Sequence, residues 1–334
     1  MPHFGRIVTS TEEKITKEGA KKSRQVNKGD LILSNSMSYG LPYIMGIDGY
    51  IHDGWFVLKN FENTFDKDYL CNLLISRAIQ NQYKRLAAGG VVQNISSDLV
   101  NSVSVSIPTM MEQKKISSLL NLIDERIATQ NKIIEDLKKL KCAIIEKVYS
   151  EIQGKEYSYG QLFDVVNEHN KQMEYSNILS ASQEKGMVNR DDLNLDIQFE
   201  RSNINTYKIV RKGDYVIHLR SFQGGFAFSD KLGVCSPAYT ILRPNSLLEY
   251  GYLSNYFTSQ RFIKSLVLVT YGIRDGRSIN VDEWLRMKIT IPPKEHQQYI
   301  VKVIGTFERK IEDEEAYAAQ LSKQKQYLLR QMFI

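Results

Sequence analysis

The triplet Lys28-Gly29-Asp30 returns as Lys212-Gly213-Asp214, 184 residues later. The same spacing carries Ile95 onto Ile279, Ile107-Pro108 onto Ile291-Pro292, Gln113 onto Gln297, Ile116 onto Ile300, Leu137 onto Leu321 and Lys141 onto Lys325. Tyr69-Leu70 matches Tyr252-Leu253 at 183, so small compensating insertions separate the anchors. A period this long exceeds the ~20–50 residues of a stacked solenoid unit. The chain is therefore one module and its connector, present twice. In 334 residues the second copy takes 151 to the end, and the first lacks about 34 residues at its front. Either the chain starts inside a longer domain or something else supplies the missing piece.

Composition fits a duplicated globule: 42% hydrophobic, 25% charged, 20 Gly and only 7 Pro exclude collagenous and disordered classes. The opening Met-Pro-His-Phe-Gly-Arg carries no basic-then-apolar leader. No apolar run approaches the ~18–20 residues needed to span a bilayer. Cys71, Cys142 and Cys235 are odd in number and far apart, which argues against a disulfide framework and for a cytoplasmic protein. A net charge of +6 permits a polyanionic partner without requiring one.

Within each copy, short β-like runs (Leu31-Ile32-Leu33, Tyr215-Val216-Ile217) follow the Lys-Gly-Asp turn, and polar, glycine-containing loops intervene. Residues 69–86 and 252–268 read as amphipathic helices, and a last strand ends at Ile107 and at Ile291, just before proline. The fold class expected is α+β. Two tandem domains, 1–108 and 151–292, are each followed by a long helix, 109–150 and 293–334.

Those helices carry the strongest pattern in the sequence. Thr109-x-x-Glu112 is a capping box. After it, apolar residues fall at 116, 120, 123, 127, 134, 137, 144 and 148 in 4-3 alternation, with Gln130 and Lys141 as polar exceptions. The second copy repeats this with Ile300, Ile304, Phe307, Ile311, Ala318, Leu321, Leu328 and Met332, and with Glu314 and Lys325 as the exceptions. Each seam is ~57 Å long at 1.5 Å per residue. A single such helix would cover its own domain; two equal seams bury each other most simply, as an antiparallel pair. If facing residue numbers sum to 455, Lys141 meets Glu314, Gln130 meets Lys325, and every apolar seam residue meets an apolar one. Polar seam positions then fix register at some cost in stability.

A globule closing on Ile107-Pro108, then Glu112-Gln113-Lys114-Lys115-Ile116 and a long heptad helix through Ile123-Asp124, the whole present twice, resembles the specificity subunit of Type I restriction-modification systems. The resemblance covers nearly the whole chain and extends to His218–Gly225 and Tyr271–Ile279 as recognition-domain segments. It implies two target-recognition domains, each reading half of a split site in double-stranded DNA, held apart by the helices. It also implies docking of two methyltransferase (modification) subunits and of restriction motor-nuclease subunits. S-adenosylmethionine, ATP and Mg2+ would belong to those partners, with no cofactor in this chain. Two departures stand out. The first domain lacks a stretch like Tyr159-Gly160-Gln161-Leu162-Phe163, and His296-Gln297 replaces Glu112-Gln113.

Base readout uses paired donors and acceptors, such as Arg to guanine and Gln or Asn to adenine. The candidates in the second domain are Arg220, Gln223, Arg274 and Arg277, and in the first Asn35, Ser38, Tyr39, Gln93 and Asn94. Gly89-Gly90, Gly224-Gly225 and Asp275-Gly276 also read simply as tight turns, their neighbours chosen for backbone conformation. His3, His52, His169, His218 and His296 show no metal-ligand spacing, and no phosphate loop or nucleophile elbow is present. A non-catalytic recognition subunit is the reading adopted. A self-contained nuclease or methylase and a coiled-coil interaction scaffold are the alternatives.

Overall fold

The computed structural model describes residues 6–35, 40–86, 95–182, 185–192, 201–218, 225–271 and 278–333. It divides into two compact units, residues 1–135 with 312–334 and residues 136–311. Both are α+β, as the sequence predicts.

In the first unit a four-stranded sheet runs in the order Ile7–Val8, Pro42–Met45, Leu31–Ser34, Trp55–Leu58, and a second ribbon pairs Arg24–Val26 with Gly49–Ile51. In the second unit Phe226–Phe228, Tyr215–Ile217, Thr240–Pro244 and Phe163–Val166 form the corresponding sheet, and Lys208–Val210 pairs with Gly233–Cys235. The repeat holds pair by pair. Leu31 faces Ile44 and Leu58, while Tyr215 faces Phe228 and Leu242. Arg24 faces Ile51, and Lys208 faces Cys235. Each of these partners is displaced by 184.

The Lys-Gly-Asp turn explains this fidelity. Gly29 and Gly213 sit at φ 96° and 98°, a conformation that favours glycine. Asp30 Oδ2 accepts the Asn27 N–H at 2.8 Å, and Asp214 Oδ2 accepts the Arg211 N–H at 2.8 Å. Each turn thereby launches the central strand of its sheet at a fixed angle. Asp214 adds a two-pronged pair with Arg243 at 3.0 Å, which raises the arginine's pKa through that hydrogen bond despite partial burial.

The two amphipathic stretches are not single helices. Residues 69–86 divide into Lys67–Leu74 and Arg77–Leu86; residues 252–268 become the 3-10 turn Tyr256–Thr258, the helix Gln260–Ser265 and a further 3-10 segment, Leu266–Val269. A serine makes each break. Ser76 Oγ accepts the Ile79 N–H and Ser259 Oγ accepts the Phe262 N–H, so both residues start a new helix instead of continuing one.

One helix runs Met110–Ser150 and another Lys294–Met332. The capping box forms as predicted: Thr109 N–H donates to Glu112 Oε2 at 3.0 Å, and the Glu112 N–H donates to Thr109 Oγ1 at 3.4 Å. The Thr109 bonds also lower the Glu112 pKa. A strand ends at Ile291, but none ends at Ile107. Lys288–Ile291 forms because Lys155–Ser158 pairs with it, and the first unit has no such partner among its described residues.

Candidate DNA interface and helix pair

Eight of the nine candidate base-reading residues, Ser38, Tyr39, Gln93, Asn94, Arg220, Gln223, Arg274 and Arg277, lie outside the described residues. Asn35 is described and half-buried. Its Nδ2 donates to the Asp53 carbonyl at 2.8 Å, its N–H donates to Gly54 O at 3.0 Å, and its carbonyl accepts the Ile95 N–H at 2.9 Å. The side chain fastens the 52–54 turn. The backbone joins the end of the Leu31–Ser34 strand to Ile95, so the flanks of segments 36–39 and 87–94 meet at one point. In the second unit the His218 N–H donates to Gly225 O at 2.9 Å, closing segment 219–224 at its base. The scaffold therefore gathers the ends of the segments that hold the candidates.

Each globule is fastened to its helices by a glutamine that sequence reasoning noted only as a repeat anchor. Gln113 and Gln297 are both 1% exposed. Gln113 Oε1 accepts the Asp66 N–H at 2.9 Å, and its Nε2 donates to Thr64 O at 3.0 Å and Pro108 O at 3.1 Å. Gln297 does the same with Glu249 N–H at 2.8 Å, Leu247 O at 3.0 Å and Pro292 O at 2.9 Å. One amide thus satisfies three backbone groups and sets where the helix leaves the globule. The replacement of Glu112 by His296 leaves this clamp intact.

Within each unit the two helices run antiparallel, as predicted, but not in the predicted register. In the first unit Lys325 pairs with Asp124, Gln130 Nε2 donates to the carboxylate and carbonyl of Glu314, and Arg126 Nε donates to Tyr317 Oη at 3.1 Å. In the second, Lys141 Nζ meets Glu308 Oε1 at 2.8 Å. Facing numbers within the units sum to 443–449, 6 to 12 below 455, so Lys325 takes Asp124 and not Gln130, and Lys141 takes Glu308. The physical reason is local pairing. Each seam lysine takes a carboxylate flanking the opposite seam, and Asp124 and Glu308 are themselves 184 apart. Burial still lowers the Lys325 pKa, the Asp124 hydrogen bond opposing that shift.

The seam also drifts. Towards the helix end Ile145 and Tyr149 are the buried residues and Ile144 and Val148 only half-buried, because a straight α-helix turns ahead of a strict heptad. Tyr149 packs on Tyr252 with centroids 5.6 Å apart, and its counterpart Phe333 packs on Tyr69 at 5.1 Å. Each globule therefore holds the start of one long helix and the end of the other.

No group of histidine, cysteine or carboxylate side chains among the described residues could hold a metal ion, and no described helix is long and apolar enough to cross a membrane. The family model "Type I restriction modification DNA specificity domain" matches residues 4–139 and again 154–323. The chain is 22% identical over 293 residues to a protein described as the MjaX specificity subunit of a type I restriction enzyme from Methanocaldococcus jannaschii, covering 82% of this chain and 68% of that one. A solved chain of a type I R-M system superposes with a TM-score of 0.61 at 16% identity, covering 92% of this chain and 82% of that one. The HsdS subunit from Thermoanaerobacter tengcongensis superposes at 0.51 and 17% identity, covering 92% and 81%. At these identities the structural likenesses speak to the fold. With the family model matching most of the sequence in two blocks, the chain belongs to the Type I restriction modification DNA specificity domain family and carries that domain twice.

Proposed function

We propose that this chain is the DNA-reading subunit of a Type I restriction-modification complex, with one half-site read by each globule. The observation that carries the reading is the double family match laid over two units that share the three central strands of their sheets and the glutamine clamp. Reading two half-sites requires two base-contacting surfaces at a constant separation. A helix of 41 residues, ~60 Å long, is a stiff way to set one, whereas a flexible linker would blur it. The segments 36–39, 87–94, 219–224 and 272–277 would supply the base contacts through Ser38, Tyr39, Gln93, Asn94, Arg220, Gln223, Arg274 and Arg277. Basic side chains on phosphates would supply the salt-dependent part of the affinity.

In this proposal two modification subunits dock on the subunit, and motor-nuclease subunits join them for restriction. S-adenosylmethionine, ATP and Mg2+ are used on those chains, in the cytoplasm. This chain orients and selects without making or breaking a bond.

Mapping methylated bases genome-wide in cells with and without the chain tests the reading. The expected result is a two-part motif with a constant gap that disappears with the gene. Methyl transfer or DNA cleavage by the purified chain alone would contradict it. So would duplex binding that shows neither sequence preference nor a steep fall with salt.

A further inference from the structure

Leu268 is the most exposed large hydrophobic side chain among the described residues, at 74%, and Val267 beside it is 61% exposed. The 3-10 segment Leu266–Val269 puts them there. At three residues per turn Leu266 and Val269 fall on one face, where both are buried, and the two residues between them turn out to solvent. Thr270 Oγ1 donates to the Leu266 carbonyl and closes the turn.

The pair stands at the foot of a hairpin in the second unit. Thr270-Tyr271 runs antiparallel to Ser278-Ile279, and the Asn280 N–H donates to the Val269 carbonyl at 2.8 Å, so only Thr270 and Tyr271 separate the turn from segment 272–277. Segment 219–224 is rooted nearby. Phe226, which faces Ile217 at the foot of that segment, packs on Phe262 and on Trp284 with centroids 5.0 Å apart in each case. Phe262 belongs to the helix that runs straight into the 3-10 turn. From Tyr250 to Arg274 the sequence carries Arg261, Lys264 and Arg274 and no acid. On the adjoining helix Val281–Arg286, Asp282 and Arg286 are exposed with opposite charges and Glu283 is half-buried.

The first repeat keeps the position and changes the chemistry. At the spacing of 183 that relates Tyr69 to Tyr252 and Ser76 to Ser259, buried Tyr83 corresponds to buried Leu266, and exposed Lys84-Arg85 to exposed Val267-Leu268. Both pairs lie shortly before a segment that holds base-reading candidates, 87–94 in one unit and 272–277 in the other. A surface that is cationic in one copy and aliphatic in the other suits a ligand whose anionic and apolar groups lie side by side. Duplex DNA has that character, because phosphates line the groove into which thymine methyls project.

We propose that Val267 and Leu268 are specificity-determining residues of the second unit, which pack against thymine methyl groups in the major groove, whereas Lys84 and Arg85 hold phosphates at the equivalent place in the first. The inference rests on the DNA-reading function proposed above. Apolar burial gives the second unit a share of affinity that salt does not erode, and a preference for thymine over cytosine at the base pair it covers.

In the test, the full wild-type chain first selects a duplex from a random-sequence pool, and binding to that duplex is then followed across a salt series. V267S/L268S, whose replaced side chains are exposed, is expected to keep the circular dichroism spectrum and the salt slope and to bind about tenfold more weakly. K84S/R85S is expected to lower the slope by about 2. Replacing thymine by uracil throughout the duplex, which removes only the methyl group, is expected to weaken the wild type and to weaken V267S/L268S less. Wild-type affinity in V267S/L268S, an equal response of both proteins to uracil, or an unchanged slope in K84S/R85S overturns the proposal and leaves DNA reading in place. A pool that yields no preferred duplex overturns the DNA-reading function itself, and the inference falls with it.

Discussion

Gln113 and Gln297 show how much one buried side chain can hold. Gln113→Ala leaves the Asp66 N–H and the Thr64 and Pro108 carbonyls without their partner in a dry site. The expected cost is about 1–3 kcal/mol, read as a lower urea midpoint with an unchanged slope. Gln297→Ala is expected to cost as much, since its three bonds match within 0.1–0.2 Å. The cysteines divide by burial. Cys71 and Cys235 are buried and free, and burial pushes both thiols up to about 12; Cys142 is exposed. A thiol reagent at neutral pH is expected to titrate one group in the native chain and all three after denaturation. Both glutamines were visible in the sequence as repeat anchors. Their role was not, because three backbone partners lying 5 to 50 positions away leave no mark in local spacing.

The helix pair makes its own prediction. Lys141→Glu places a carboxylate against Glu308 and is expected to destabilise by about 1 kcal/mol. Adding Glu308→Lys should recover much of that loss, and adding Glu314→Lys should not; a double-mutant cycle on thermal or urea unfolding separates the two. The heptads made the helices and their antiparallel sense legible, because burial of an apolar stripe repeats every three to four residues. Register was not legible. Shifting one seam by a heptad keeps apolar facing apolar almost everywhere, so the choice fell to Asp124 and Glu308, which lie beside the seam. The breaks at Ser76 and Ser259 were missed for a similar reason: serine inside an amphipathic run is a surface residue or a cap, and only the fold decides which. The base-reading candidates were chosen from loops, where periodicity carries no signal.

For the chain as a whole, alkaline pH is the revealing condition. Burial raises the pKa of Tyr69, Tyr83, Tyr149, Tyr159, Tyr215, Tyr252 and Tyr256, Tyr83 to about 12. An unfolded tyrosine ionises near ~10, so these groups give their full stabilisation below that pH and lose it as pH climbs towards the folded values. Lys325 works in the opposite sense: its lowered pKa makes the unfolded chain the better proton binder just below the ordinary lysine range, so its share of stability rises with pH there. With one such lysine against eight such phenols among the described residues, Tyr250 included, melting temperature is expected to hold near pH 8 and to fall between about pH 10 and 12, followed by circular dichroism. The two sheets share a hydrogen-bond scheme down to the glycine at φ 96° and the glycine at φ 98°. Matching ladders leave the strands of either sheet with their ends set alike, so a segment grafted from one sheet onto the other would meet the register it left.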